Sequence, residues 1–235
     1  MVLDTKKYKT IFGILCLSPL LIYLILTREN VNVINTKVSF LNHTDENDTL
    51  EFRLDPKWSI CDKQPQTQIY LFIAFVIISP HQFEQRNHIR NTWANKQFNS
   101  NLKVIFTVAL SKNQTVNKLL KDEFNLFGDI LQIENLIDSY YNCSIKIMKT
   151  YKWISNYCSN TKYILKICDD VVVNTPELIR NYKNVIPYKP NHIYGYGIYG
   201  VGPIRDPGNK WYVSEKEFNG SSFPPYIQGN LFYLY

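Results

Sequence analysis

Two adjacent carboxylates, Asp169 and Asp170, interrupt the run YILKICDDVVVN at residues 163 to 174. Burying a carboxylate in an apolar surround is costly unless a cation or a donor partners it. One chemistry that uses such a pair is the binding of a hard divalent cation, Mg²⁺ or Mn²⁺, that bridges a carboxylate to ligand phosphates. The competing reading is a turn at a strand end, with exposed carboxylates facing the helix that follows Thr175. Adjacent acids are common in turns. In an extended segment alternate side chains share a face. Cys168 and Asp170 are therefore expected to point one way and Asp169 the other. Arg86 and Arg90, four apart in HQFEQRNHIRNTWAN (81 to 95), share one face of a predicted helix.

The elements that must position these residues alternate. QIYLFIAFVIISP (68 to 80) reads as a strand buried on both faces, and LKVIFTVAL (102 to 110) as a second. NKLLKDEFNLF (117 to 127) is helical, with Leu119, Leu120, Phe124 and Phe127 as its apolar stripe. A short strand is expected over 129 to 133. The helix over 143 to 158 has Ile147, Met148, Tyr151, Ile154 and Cys158 on its apolar face. KYILKI is a further buried strand that ends at the aspartates. TPELIRNYKNV has Thr175 as N-cap and Pro176 at the first helical position. Buried strands alternating with helices predict an α/β fold with a largely parallel sheet. In such folds ligands bind at the carboxyl ends of the strands, where Asp169 and Asp170 stand. Gly195, Gly197 and Gly200 fit G-x-G-x-x-G, but Gly202-Pro203 follows and no helix is signalled, so a turn between aromatic strands is expected.

The chain has 235 residues, 45% hydrophobic and 20% charged, which suits a globular domain with accessories rather than a disordered chain. The net charge of +6 is dispersed and does not argue for nucleic acid. Lys6, Lys7 and Lys9 precede an apolar run from Ile11 to Leu26, closed by Thr27 and Arg28. As helix this run spans about 24 Å, short of a bilayer core of roughly 30 Å unless Tyr8, Thr10 and Thr27 sit at the interfaces. The lysines put the N-terminus in the cytosol, and LILTREN offers no small-residue cleavage site, which favours an uncleaved anchor over a signal peptide. The reading is a cytoplasmic tail over 1–10, a transmembrane anchor over 11–27, a polar luminal stem over 28–65 and a folded domain over 66–235. Sequons at Asn42, Asn47, Asn113, Asn142 and Asn219 agree with a luminal domain. Cys61, Cys143, Cys158 and Cys168 would meet an oxidising lumen, where one or two disulfides can form, and no Cys-x-x-Cys pair points to zinc.

EQRNHIRNTW, FGDIL, DSYYNCSIK, Trp153 with Cys158, YILKICDDVVVN, KWYVS and FPPYIQGNLFY occur in this order. Together they resemble the β-1,3-galactosyltransferase family of Golgi type II membrane proteins. The resemblance implies a GT-A-like, Rossmann-like fold, a UDP-sugar donor, a glycan acceptor and Mn²⁺ (or Mg²⁺). By position it makes Asp170 the metal ligand. It sets Arg86, Arg90, Asp138, Lys146 and Asp169 beside the nucleotide sugar, and Trp211, Tyr226 and Gly229 on the acceptor side. For Trp93, Trp153 and Trp211 the alternative is a packing role. The implied reaction transfers galactose or an N-acetylhexosamine to a glycan hydroxyl in β-1,3 linkage with inversion. A cation and arginines would neutralise the departing diphosphate, and a carboxylate base would deprotonate the acceptor.

Two departures from the family pattern stand out. Cys168 occupies the place of the first aspartate of Asp-Asp-Asp, and a thiol is a soft, poor match for Mn²⁺. The sequence ends at GNLFYLY, before the family's Glu-Asp-Val segment that supplies the base, so the base is expected beyond Tyr235 and the domain is read as incomplete. Asp206, Glu215 and Glu217 are the acids at hand, and no pattern places them as the base. The expectation is a transferase fold with little activity in this polypeptide. The alternative is an inactive relative that binds nucleotide sugar or glycan.

Overall fold

The computed structural model describes residues 32–34, 51–56, 72–95, 97, 101–158, 161–184 and 193–234. The predicted tail, the anchor over 11–27, Asn42, Asn47 and Cys61 lie outside the described residues. Among the described residues no helix is long and apolar enough to cross a membrane.

Eight strands form one sheet: β1 (Asn32–Ile34), β2 (Phe52–Leu54), β3 (Phe72–Ile77), β4 (Leu102–Leu110), β5 (Ile130–Ile137), β6 (Tyr163–Cys168), β7 (Ile193–Ile198) and β8 (Tyr226–Leu234). Their order is β1-β7-β8-β6-β3-β4-β5-β2. The helices are α1 (Phe83–Asn91), α2 (Gln114–Phe127), α3 (Cys143–Tyr157) and α4 (Thr175–Asn184). The centre, β6-β3-β4-β5, is parallel as expected. The flanks are antiparallel, with β8 on β6, β7 on β8, β1 on β7 and β2 on β5. This mixed α/β arrangement fits a GT-A-like fold.

All of β3 is buried, as its unbroken apolar run requires of a central parallel strand. Phe72, Ala74, Val76 and Ile78 face one side, with Ile89 and Trp93 of the α1 region, Leu120 of α2 and Leu178 of α4. Ile73, Phe75 and Ile77 face the other, against Cys143, Ile147, Trp153 and Ile154 of α3. Crossovers between parallel strands are right-handed. The chain steps β3-β4-β5 with α1 and α2 on one face. It must then use the opposite face to return past them to β6, and α3 makes that return. The strand order therefore reverses between β3 and β6.

Two helical faces differ from the periodicity. On α2, Val116, Asn117 and Leu120 are buried, while Leu119 is 50% exposed and Phe127 39% exposed. Asn117 fits inside because it accepts from the Ser111 N–H at 3.0 Å and from Gln132 Nε2 at 3.1 Å. On α3, Met148 is exposed while Lys146 and Thr150 are buried, with Thr150 Oγ1 3.1 Å from Thr107 Oγ1. A period count cannot foresee polar residues that earn burial by hydrogen bonding. The cap of α4 is Asn174 rather than Thr175. Asn174 Oδ1 accepts from the Glu177 N–H at 3.2 Å, and the Thr175 hydroxyl donates to the Trp93 carbonyl at 3.3 Å. Gly195 and Gly197 lie in β7 and Gly200 takes φ 67° in a turn, so the glycine pattern opens no helix.

The sheet takes both edge strands from the span read as a stem: Asn32–Ile34 pairs with β7, and Phe52–Leu54 with β5. Leu54 enters the core, and Asp55 Oδ1 accepts from the fully buried Trp153 Nε1 at 2.9 Å. Asp55→Ala should leave that indole N–H buried without its acceptor and cost about 1–3 kcal/mol in urea denaturation. Asp55→Asn, which keeps an acceptor, should recover most of the loss.

Candidate functional site

In open α/β sheets the ligand crevice lies outside the carboxyl ends of the strands where their order reverses. Here that is between β3 and β6, which run in register from Phe72↔Tyr163 to Ile77↔Cys168. β6 stops at Cys168, and Asp169 and Asp170 form a turn closed by the Val171 N–H donating to the Cys168 carbonyl at 3.3 Å. Strand alternation therefore ends one residue too early for Cys168 and Asp170 to share a face. Cys168 points inward and is 6% exposed. Lys166 Nζ, fully buried, donates to Cys168 Sγ at 3.0 Å and to the Gly229 carbonyl. Asp170 is exposed, and Asp169 is half-buried. The turn reading and the cation reading thus share one geometry. Cys143 and Cys168 remain thiols, while Cys158 is disulfide-bonded.

Asp169 is held from two elements. Gln82, just ahead of α1, donates from Nε2 to Asp169 Oδ2 at 2.6 Å while its Oε1 accepts from the Ser79 N–H at 2.9 Å. It thereby bridges the loop after β3 to the turn after β6. Gln85 Nε2 donates to the Asp169 carbonyl at 2.6 Å. Lys146, from α3, donates to Asp138 Oδ1 at 2.7 Å and to the Ile78 carbonyl at 3.4 Å. Burial in the crevice, the largest influence, raises the Asp169 pKa, as does the charge of Asp170, while the Gln82 amide and Lys146 act against them. Asp138, Lys146, Asp169 and Asp170 are thus brought to one edge of the sheet. Ser144, in the first turn of α3, has a buried hydroxyl without a hydrogen-bond partner. Gln82 and Gln85 were missed from the sequence. Their three-residue spacing at the mouth of the first central strand is the signal that could have found them.

Arg86 and Arg90 share a face as expected, but that face looks toward Glu123 of α2. Arg86 is fully buried. Its Nε and Nη2 donate to Glu123 at 2.9 and 2.7 Å, and its Nη1 donates to the Ser79 carbonyl at 2.9 Å. Arg90 donates to Glu123 at 2.6 Å and, through two parallel bonds of 2.7 and 2.8 Å, to Asp129. It also stacks on Phe106 and Phe127. Asp129 is level with Phe106 in the middle of β4, below the strand ends. In this structure both arginines are engaged within the chain. Arg86 braces the Ser79–Gln82 loop, and Arg90 lies one helical turn, about 5 Å, farther from the crevice. Glu123→Ala should strand the buried Arg86 guanidinium and cost about 3–5 kcal/mol in urea denaturation.

The acceptor-side candidates lie on the antiparallel flank. β8 pairs with β6 through Ile167↔Leu231, and continuing that register places Gly229 level with Asp169. Tyr226 opens β8 and meets Phe223 edge-on at 6.2 Å. Trp211 is in the 200–223 loop, with a buried Nε1–H that has no hydrogen-bond partner and Lys210 Nζ 4.7 Å from its ring centroid. Trp93 and Trp153 are buried packing residues. Of the acids, Glu217 accepts from the Ser214 N–H and hydroxyl at 3.0 and 2.8 Å, which lowers its pKa, and Asp206 Oδ1 accepts from the Gly208 N–H at 2.9 Å. Both are occupied in local turns.

Comparison with known proteins bears on this site. Residues 84–235 match the family described as Galactosyltransferase. Beta-1,3-galactosyltransferase 1 of Mus musculus and that of Homo sapiens are each 35% identical over 164 residues, covering 67% of this chain and 49% of the relative. The Homo sapiens lactosylceramide 1,3-N-acetyl-beta-D-glucosaminyltransferase is 26% identical over 198 residues, covering 80% of this chain and 51% of its own length. The chain spans about half the length of these curated relatives. The family match runs from within α1 to β8, taking in the Asp169–Asp170 turn and leaving β3 and Gln82 outside it, and the chain belongs to the galactosyltransferase family.

Proposed function

We propose that this chain is a glycosyltransferase that moves galactose or an N-acetylhexosamine from a UDP-sugar to a hydroxyl of a glycan acceptor, in β-1,3 linkage and with inversion. The observation that carries the reading is the Asp169–Asp170 turn at the reversal between β3 and β6, in a chain whose relatives are named for 1,3-transfer of these sugars. The same reading puts the domain on the luminal side of a Golgi membrane behind the 11–27 anchor.

The site fits a hard cation, Mn²⁺ or Mg²⁺. Its donors are carboxylate oxygens, and such a cation is commonly held by one or two carboxylates plus substrate phosphates rather than by a full protein cage. Among the described residues no cluster of three or more His, Cys, Asp or Glu side chains forms such a cage. Asp170 would hold the cation and Asp169 would support it. When bound, the cation neutralises charge on a departing diphosphate. The chain's own residues do the rest. Gln82 and Gln85 fix where Asp169 stands, and Lys146 with Asp138 closes the far wall. The 226–229 segment of β8 sets the acceptor side against the donor side. Arg86 serves by holding the Ser79–Gln82 loop in place, and Arg90 by fixing the Glu123 carboxylate that partners Arg86. A relative that binds nucleotide sugar without transferring it is the second reading. It is supported by Cys168, which turns inward to Lys166 and adds no hard donor to the crevice.

Titration of the full chain with UDP should show binding that needs Mn²⁺ and is abolished by chelation. Asp170→Ala should weaken it by at least the roughly 10–100-fold that loss of a support to a metal ligand costs. Metal-independent UDP binding, unchanged in Asp170→Ala, would contradict the assignment. Transfer of sugar to a glycan by the same protein separates the two readings.

Gln82→Glu keeps the acceptor for the Ser79 N–H but sets a carboxylate against Asp169. It should weaken Mn²⁺-dependent UDP binding by about 10–100-fold. Gln85→Met, which loses only the bond to the Asp169 backbone, should have the smaller effect.

A further inference from the structure

The chain between β7 and β8 holds its shape with little apolar burial. Across residues 200–223 only Val213 and Phe223 are buried, and Tyr199 and Tyr212 carry exposed rings. A surface segment of this kind is shaped by its polar bonds rather than by a core. The Val213 N–H donates to the Ile204 carbonyl at 2.9 Å and closes a loop over 204–213. Inside it, Asp206 Oδ1 accepts from the Gly208 N–H and Asn209 Oδ1 from the Trp211 N–H, each at 2.9 Å, so Trp211 is set by an Asx turn.

A second closure forms where the Phe223 N–H donates to the Val201 carbonyl at 2.9 Å. It brings 202 against 221 so closely that a Cβ added at Gly202 would lie 2.5 Å from the Ser221 carbonyl oxygen. The Phe218 ring packs on Phe223 at 5.0 Å between centroids, and Phe223 in turn meets Tyr226 at the start of β8.

Arg205 joins the loop to this corner. Its Nη1 donates to the Val213 carbonyl at 2.7 Å, at the base of the loop. Its Nη2 donates to the Phe218 carbonyl at 2.6 Å and to the Gly220 carbonyl at 3.1 Å, in the corner. The three carbonyls are neutral and come from two different turns, so the role of this half-buried guanidinium is geometric. A planar fork of donors can bond all three from one fixed position, and the point charge of an ammonium is not shaped to do so. Among the described residues none of these bonds reaches the Asp169–Asp170 turn.

We infer that Arg205 is the positioning residue of the acceptor side: it sets the Trp211 loop against the Phe223–Tyr226 corner before a glycan arrives. The inference rests on the acceptor-side reading of the proposed function and on no part of its cation assignment. Sugar rings offer an apolar face to aromatic side chains, and two aromatic supports on separate turns act together only when their spacing is fixed. A surface ordered in advance binds more tightly than one that must be ordered by its ligand.

The test compares the full chain with Arg205→Ala in three measurements: Mn²⁺-dependent UDP binding, NMR titration with methyl β-galactoside and with methyl β-N-acetylglucosaminide, and amide hydrogen exchange. Arg205→Ala should weaken binding of the preferred glycoside by about tenfold or more and leave UDP binding unchanged. The Val213 and Phe223 amides should lose protection while those of β3 and β4 keep theirs. Arg205→Lys should recover only part of the loss. Gly202→Ala, which forces the same junction apart without touching the guanidinium, should reproduce the split between sugar and UDP. Glycoside binding unchanged in Arg205→Ala, or UDP binding lost in step with it, overturns the inference, as does a wild-type chain that binds neither glycoside. A wild-type chain that binds a glycoside but no UDP removes the proposed donor site instead, and the glycoside comparison still decides the role of Arg205.

Discussion

A guanidinium with no exposure to water must find an anion, and the place where Arg86 finds one shapes this molecule. Glu123 supplies the charge from α2, so α1 and α2 are locked together on one face of the sheet. The remaining Arg86 donors take the Ser79 and Pro80 carbonyls, which fixes the loop leaving β3. That loop carries Gln82, and Gln82 holds the Asp169 carboxylate. A buried ion pair is weak evidence for net stability, because desolvation offsets much of the attraction. Its consequence here is geometric: it ties the helical layer to the mouth of the crevice through one continuous set of bonds.

The parallel centre was legible because burial on both faces leaves an unbroken apolar run, as in Phe72–Ile77. The candidate site was legible as a position because two acids at the end of such a run have few places to go. Neither periodicity nor motif order could show that the chain turns at Asp169 and parts Cys168 from Asp170. Strand alternation is a rule of extended backbone and stops where the strand stops. The arginines were found by spacing, but spacing gives a shared face and not the partner on it. Glu123 is 37 residues from Arg86 in the chain, and only the α2 packing brings it there. The two edge strands were hidden for a different reason. Three-residue strands such as Phe52–Leu54 are too short to carry a period, and their pairing is decided by the exposed edge of β5.

Cys168 gains a physical account from its neighbours. Lys166 is buried, two residues earlier on the same strand, and its ammonium reaches both the thiol and the Gly229 carbonyl. Where the family resemblance expects an aspartate, this chain has a smaller, softer group that faces the interior between β6 and β8. The hard oxygen donors are left to the turn itself, with Asp170 toward solvent and Asp169 under the control of two glutamine amides. A hard cation in the crevice, as proposed, would draw on fewer protein oxygens and more on the phosphates a ligand brings.

The role proposed for the reversal between β3 and β6 is that of a cation-assisted nucleotide-sugar site. The most direct measurement is a crystal structure of the chain grown with UDP and Mn²⁺, with anomalous data to locate the metal. An anomalous peak is expected between the Asp170 carboxylate and the diphosphate, with Asp169 still held by Gln82. Diphosphate bound elsewhere, or a metal that avoids the 169–170 turn, would contradict it.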